Sequence, residues 1–496
     1  MPKLPKKQPR HISLSSLTYT IDQNSILDNL TLSLLHHKTP VVGIIGYNGA
    51  GKSTLAKILS GQLKASGNIY INGDVGYMQQ EWEIPDTVSV RAYLSNFIEG
   101  DREEYKIIAI LDELNLDSDC MDQMIGTMSG GQKRKIQLAK LILQDKTILI
   151  MDEPTNHIDH QTKQRLAEWI TTASDRIFFL VISHDRDFLN DIAHAIVEIH
   201  NGKAVMYEGN YDTYTIQRAI NDQSQQRQFA EYEKKRKKME AWIATMQERA
   251  SRVDNPTLGR LIQARKKIYE REIVGKAIAK PDDYTGLKIE IGVKKSHHHR
   301  LCERTNQDII QPDSGEILIK QCSATIYQGQ KILLSGPNGT GKTTLIKRLL
   351  RHEHMDYRSP QLDIGICDQH MTAMNIDITV SDFLIELHQL VRFGPEVLNR
   401  IADQYRLRDQ LRTRLKNLSH GQKVRLRFAQ LARKTYNLLI LDEPTNHLDI
   451  PTKERIEEAL RQYTGAIVVV SHDSYFVREI MVDTVWEIKD KKLVVM

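Results

Sequence analysis

The sequence predicts an α/β protein: two copies of a phosphate-loop domain joined by an α-helical hairpin linker. Three observations carry that expectation. ILIMDEPTNHID at 148–159 and LLILDEPTNHLD at 438–449 nearly repeat one another. GYNGAGKS at 46–53 and GPNGTGKT at 336–343 both fit G-x-x-x-x-G-K-[ST], each behind an apolar run. Between the copies lies a polar stretch with the composition of long helices. The spacing makes the repeat firm. Gly46/Gly336, Lys52/Lys342, Ser129/Ser419 and Asp152/Asp442 are each 290 residues apart, and His184/His472 are 288 apart.

Composition bounds the class. The chain has 496 residues, 40% hydrophobic and 26% charged, which suits two or three globular domains. No apolar run reaches the roughly 18 residues that span a bilayer. The start, MPKLPKKQPR, is basic with no apolar core behind it, and reads as a tail rather than a secretory signal. The four cysteines form no C-x-x-C, which fits a reducing, cytoplasmic setting and argues against disulfides. Net charge is only +5, so contact with nucleic acid must come from local clustering.

In chain order, VVGII (41–45) is expected to be a buried strand running into the first phosphate loop. The glycines of such a loop allow a tight path, and its amides and the following helix N-terminus cradle phosphates. Lys52 and Lys342 are expected on the β- and γ-phosphates, with Ser53 and Thr343 on Mg²⁺. The nucleotide set is Gly46, Asn48, Gly49, Gly51, Lys52, Ser53 and Thr54, repeated as Gly336, Asn338, Gly339, Gly341, Lys342, Thr343 and Thr344. Tyr19 stands at a plausible distance upstream to stack on adenine, or is simply structural. Gln80 and Gln369 each follow a short apolar run. MSGGQ and LSHGQ then open helices whose N-termini could face a γ-phosphate, through Ser129, Gly130, Gly131 and Gln132 and through Ser419, Gly421 and Gln422.

The repeated apolar runs should deliver Asp152–Glu153 and Asp442–Glu443 to the carboxyl end of a parallel sheet, where such sheets bind ligands. An acid pair there suits Mg²⁺ chemistry: Asp152 and Asp442 organise the metal, while Glu153 and Glu443 orient or activate water. His184 and His472 follow FFLVIS and IVVVS in matching SHD triplets, and are expected to hold the γ-phosphate and that water.

Phosphate loop, glutamine loop, LSGGQ-like signature, Asp–Glu strand and histidine, in this order and twice over, resemble the ATP-binding cassette. Two cassettes in one chain, the DEPTNH motif and a charged helical linker resemble the ABC-F family, ATPases that act on ribosomes. That resemblance implies head-to-tail closure, with Lys52 and Glu153 sharing one ATP with Ser419, and Lys342 and Glu443 sharing another with Ser129. It also implies that Asp159 and Asp449 supply the loops coupling the two sites. The expected division is a basic tail (1–10), cassette 1 (11–210), linker (211–285) and cassette 2 (286–496).

The linker is where output is expected. Phe229, Tyr232, Met239, Trp242, Ile243 and Met246 recur at helical steps. DNPTLG (254–259) should break the helix, with Pro256 ending it. A second helix, with Leu261, Ile262, Ala264, Ile268 and Ile273 apolar, should run back. Residues 226–276 hold 14 Lys/Arg against 7 Asp/Glu. A basic hairpin can contact a phosphate backbone or be a solvated coiled hairpin whose charges only keep it soluble; with the family resemblance, the expected partner is the ribosome, rRNA and tRNA, with no membrane and a monomer pairing its own cassettes.

Gln80 and Ser129 are 49 residues apart and Gln369 and Ser419 are 50, leaving no room for the arm many family members insert in the first cassette. Only 24 residues follow His472. An arm-less form resembles antibiotic-resistance members, so the expected function is to modulate translation or protect ribosomes from antibiotics. The alternatives are a tandem ATPase subunit of an ABC transporter and a DNA-repair ATPase. His420 replaces the first signature glycine of cassette 2 and is expected to slow the Lys52 site. Three histidines at 297–299 read as a surface loop rather than a metal site.

Overall fold

The computed structural model describes residues 10–21, 24–80, 86–98, 104–156, 158–252, 256–275, 289–294, 299–311, 315–337, 339–351, 356–368, 377–389, 394–446 and 448–496. The cassettes form one compact unit and residues 212–284 a second.

Short runs of β-branched and aliphatic residues set each main sheet. In the first cassette the strand order is Val75–Met78, Ile148–Asp152, Phe178–Ile182, Val41–Gly46, Ala195–His200 and Lys203–Glu208. The first five strands are parallel and the last pair closes as an antiparallel hairpin. The second cassette repeats the order with Ile364–Cys367, Leu438–Asp442, Ala466–Val470, Lys331–Ser335, Thr484–Lys489 and Lys492–Val495. Each cassette adds a small antiparallel sheet, with His11–Ile21 central in the first and Arg300–Ile310 in the second.

Period-2 alternation explains why these runs are apolar throughout. Leu149 and Met151 enter a core with the helices, while Ile148 and Ile150 enter the core under the antiparallel sheet. Leu439 and Leu441 against Leu438 and Ile440 do the same in the second cassette. With both faces covered, truncating any of them costs about 2–5 kcal/mol. This is what fixes the acid pair at the strand end. All four cysteines are buried free thiols.

Helix Tyr211–Arg252 runs 42 residues, and Pro256–Tyr269 returns beside it, continuing as a π-turn over Glu270–Val274. Tyr232 Oη donates to Ile273 O at 3.2 Å, Tyr269 Oη to Glu240 at 2.7 Å, and Arg265 stacks 5.5 Å from the Trp242 ring centre. Partners whose numbers rise on one helix and fall on the other make the pair antiparallel. The six stripe residues of the first helix are all half-buried. Two expectations are corrected. Pro256 opens the second helix instead of ending the first, because a first-turn residue has no amide bond to lose. Leu261 and Ala264 are exposed; Ile262 and Ile273 carry that helix's burial, since Leu261 and Ala264 turn to the opposite side.

No described helix is long and apolar enough to cross a membrane.

Candidate functional site: two phosphate loops facing acid pairs

Each site is built on a strand, a glycine loop and a helix N-terminus. Gly46 has φ +145°, and a β-carbon there would stand 2.3 Å from Ile199 O, so only glycine lets the loop leave the sheet. Gly336 repeats this, 2.8 Å from Ile488 O. Gly49, Gly51, Gly339 and Gly341 also have positive φ. Helices Lys52–Leu59 and Lys342–Arg351 start with no acidic residue in the first turn, leaving their N-terminal amides open to an anion. Thr54 and Thr344 lie in those first turns.

Lys52 is buried and its Nζ donates to Gly46 O and Tyr47 O, both at 2.8 Å. Lys342 does the same with Gly336 O at 2.6 Å and Pro337 O at 3.0 Å. Burial lowers the pKa of both lysines, against the pull of nearby carboxylates. The Ser53 hydroxyl lowers the Asp152 pKa against burial, Tyr77 Oη lies 3.5 Å from Asp152 Oδ2, and Asp442 accepts from Thr343 Oγ1 at 3.3 Å. Loop hydroxyl and strand carboxylate therefore meet in both copies.

Both candidate glutamates sit in a strained conformation, with φ +52° at Glu153 and +49° at Glu443. Their main-chain N–H groups still bond the neighbouring strand, to Ile182 O at 2.8 Å and Val470 O at 2.9 Å. Left-handed backbone at a non-glycine residue costs about 1–3 kcal/mol and turns the carboxylate off the strand. Glu153 accepts from the main-chain N–H of His184 at 3.3 Å, and the ring Nε2 is 3.5 Å from its Oε1. His472 Nε2 is 3.6 Å from Glu443 Oε1. Burial pushes each glutamate up to about 7, with Lys52 opposing at Glu153 and Asp442 adding at Glu443. Burial, then Lys52 and Lys453, hold His184 well below its ordinary value. The histidines are not equivalent: the His184 side chain is 14% exposed and that of His472 67%.

The signatures are capping boxes. Ser129 Oγ accepts from Gln132 N at 3.3 Å while Gln132 Oε1 accepts from Ser129 N at 2.9 Å, and Ser419 with Gln422 repeats both distances. The Gln carbonyl oxygens are thus engaged locally, and the Ser and Gly positions start the helix dipole. A β-carbon at Gly130 would meet nothing within 4 Å, and its counterpart His420 opens helix His420–Leu431 half-buried. Gln80 is exposed beside the first acid pair, and Tyr19 is half-buried on strand His11–Ile21. Asn338, Gln369, His297 and His298 lie outside the described residues.

The second cassette reaches the first phosphate loop. Asp449 caps helix Ile450–Gln462 through Oδ1, accepting from Thr452 N at 3.0 Å, and its Oδ2 accepts from Asn48 N at 2.9 Å. Arg406 stacks on Tyr47, 3.4 Å from the ring centre. Sequence reasoning missed Arg406 and Arg134. Arg134 is buried and donates to the carbonyls of Asp152 (2.6 Å), Glu153 and Gln79 (2.9 Å), tying acid pair to glutamine segment. Its counterpart is Val424, while Arg427, three residues on, donates to Ile366 O at 2.6 Å on the strand beside the second acid pair. Nothing local in the sequence marks Arg134.

Paired phosphate loops, acid pairs and signature helices on this fold define a tandem ATP-binding-cassette ATPase, which binds and hydrolyses ATP. The family profile described as ABC transporter matches residues 27–156 and 319–446, and a second profile of that description matches 197–287. The chain is 31% identical to the ATP-binding protein Uup of Escherichia coli, covering 94% of this chain and 78% of that one. It is 30% identical to ABC transporter F family member 5 of Arabidopsis thaliana (90% and 71%). It is 29% identical to the ribosome protection protein VmlR of Bacillus subtilis (94% and 85%). Among solved structures, RNase-L Inhibitor superposes with a TM-score of 0.60 at 18% identity, covering 96% of this chain and 87% of that one. The chain belongs to the ABC-F family.

Proposed function

We propose that this ATPase works on the ribosome, in the cytoplasm, where ATP-driven closure of the cassettes presents the linker hairpin to RNA near the tRNA site and so modulates translation or protects the ribosome from an antibiotic. The observation that carries this reading is the pairing of similarity to a ribosome protection protein over 94% of this chain with a hairpin holding 14 Lys/Arg against 7 Asp/Glu over residues 226–276. The protein acts as a monomer, divided into cassettes over 11–210 and 286–496 and a linker over 211–285.

Mg²⁺ fits the donor set. Asp152 Oδ1 and Glu153 Oε1 are buried with no hydrogen-bond partner, an arrangement a hard cation and its water would satisfy. Ser53 with Asp152, and Thr343 with Asp442, would hold the ion, which supplies charge neutralisation at the phosphates. In each site the phosphate-loop amides and lysine bind the phosphates. Glu153 or Glu443 orients the attacking water and takes its proton, its raised pKa suiting a base near neutrality. His184 or His472 steadies that carboxylate and the γ-phosphate. Ser419 completes the Glu153 site and Ser129 the Glu443 site; the Asn48–Asp449 bond supports this head-to-tail pairing.

Replacing both glutamates by glutamine and sedimenting the protein with ribosomes in ATP tests the reading. The trapped protein co-sediments; its absence from the ribosome fraction removes the ribosomal assignment. A panel of ribosome-targeting antibiotics on an expressing host then decides the output, since a resistance role shifts the inhibitory concentration of one class.

A further inference from the structure

Behind the histidine loops the two cassettes meet through four charged side chains, of which Asp473 closes the second SHD triplet while Arg186, Lys453 and Glu457 lie outside the shared motifs. Arg186, first residue of helix Arg186–Ile192, is buried. Its guanidinium donates to both carboxylate oxygens of Glu457, to Oε2 at 3.0 Å, and to both of Asp473 at 3.1 and 3.2 Å. It also lies 5.3 Å from the Tyr475 ring centre. Lys453 precedes Glu457 by four residues on one helix face. Lys453 Nζ donates to Asp473 Oδ2 at 3.0 Å and, across the boundary, to His184 O at 3.0 Å. The second cassette therefore grips the first at residues 184 and 186, and His184 in turn touches Glu153. Despite its burial, Arg186 is held well above its ordinary pKa by Glu457 and Asp473, so the guanidinium stays charged, while burial pushes the Glu457 carboxyl up against the pull of Arg186.

Half of this cluster is repeated, since Lys163 Nζ donates to Asp185 Oδ2 at 2.9 Å as Lys453 does to Asp473, but among the described residues the Arg186–Glu457 pair occurs once. In the repeat register Ser474 stands where Arg186 does and Ala167 where Glu457 does, and neither can make a guanidinium–carboxylate pair. The same boundary has Tyr47 and Arg406; Pro337 is the counterpart of Tyr47, and Asn115, which shares the left-handed backbone of Arg406 (φ +56° and +53°), is the counterpart of Arg406. Buried charges contribute little net stability, because desolvation offsets their attraction, but they demand one register. The greater burial of His184 over His472 follows the same asymmetry.

We propose that Glu457 and Lys453 of the second cassette are positioning residues for hydrolysis at the Glu153 site of the first, acting through Arg186 and His184, with no counterpart of the Arg186–Glu457 pair at the Glu443 site. This rests on the reading of Glu153 with His184 as the hydrolytic pair. Turnover at the first site then requires docking at this point, whereas turnover at the second does not. Binding energies between coupled sites must be reciprocal; chemical rates need not be.

The test uses the full chain with one site silenced at a time. Glu457→Ala and Lys453→Met are each placed in Glu443→Gln and in Glu153→Gln proteins, and phosphate release is measured against ATP concentration. With only the Glu153 site active, kcat falls about tenfold or more while KM stays within about threefold, the split expected when alignment and not binding is lost. With only the Glu443 site active, kcat changes less than about threefold. Lys453→Arg, which can still donate to both His184 O and Asp473, restores at least about half of the rate, separating positioning from misfolding. A Glu153-site kcat within about twofold of its parent in both variants, or an equal fall at both sites, overturns the proposal. Turnover surviving in the double Glu→Gln parent would instead remove the reading of the glutamates.

Discussion

Asp449 performs two jobs with two oxygens, which makes them separable. Oδ1 caps the helix through Thr452 N, and Oδ2 accepts from Asn48 N in the opposite phosphate loop. Asp449→Asn can keep the cap while replacing the anionic acceptor by an NH₂ group that faces another donor. A hydrogen bond to a charged group contributes about 1.5–3 kcal/mol, so docking of the second cassette on the first loop should weaken roughly 10- to 150-fold. Measured in a Glu443→Gln protein, turnover at the Glu153 site should fall by at least about tenfold with the urea midpoint nearly unchanged. Asp449→Ala loses the cap as well, and should cost about 1 kcal/mol more in unfolding. The reasoning fails if Asp449→Asn turns over at the parental rate, or if both variants lose the same stability.

Three further outcomes follow from the same geometry. Glu443→Gly should be more stable than Glu443→Ala by about 1 kcal/mol, because both lose the carboxylate but only glycine accepts φ +49° without strain; an alanine variant at least as stable would dismiss the strain. Burial opposes it, yet Lys453 and Arg186 hold the Asp473 carboxyl well below its ordinary range. A depressed carboxylate stabilises fully above the unfolded value, near 3.9, and loses that contribution as pH falls below it. The melting difference between the parent and Asp473→Asn should therefore be flat from pH 8 to 5 and close only below about 4; closure already at pH 6 contradicts this. Trp242→Ala removes the half-buried ring under Arg265 and should lower local stability of the hairpin by about 1–2 kcal/mol, read as faster amide exchange over residues 232–246.

Much of this machine was legible because its motifs are local. Loops such as GYNGAGKS encode their backbone path in glycines, and the buried runs before Asp152 and Asp442 announce a sheet covered on both faces. The 290-residue offset then places each feature twice. What escaped notice lies where the copies differ and where distant segments meet. Arg134, Arg186 and Glu457 occupy unremarkable helix positions; the arginines meet carbonyls or carboxylates up to 287 residues away, and Glu457 meets the Arg186 guanidinium. No periodicity marks such a contact; a break in the repeat does, as at Arg186 against Ser474. Pro256 was misread because proline breaks a helix interior and starts a helix equally well. Leu261 was misread because an apolar residue beside a loop need not face the stripe.

The central claim is that each site is completed by the opposite cassette. Ser419→Arg and Ser129→Arg, each placed in Glu443→Gln and Glu153→Gln proteins, test it through steady-state phosphate release. Head-to-tail pairing predicts that Ser419→Arg silences the Glu153 site and spares the Glu443 site, with Ser129→Arg doing the reverse. Loss of turnover at the Glu443 site from Ser419→Arg, with the Glu153 site intact, would contradict the account.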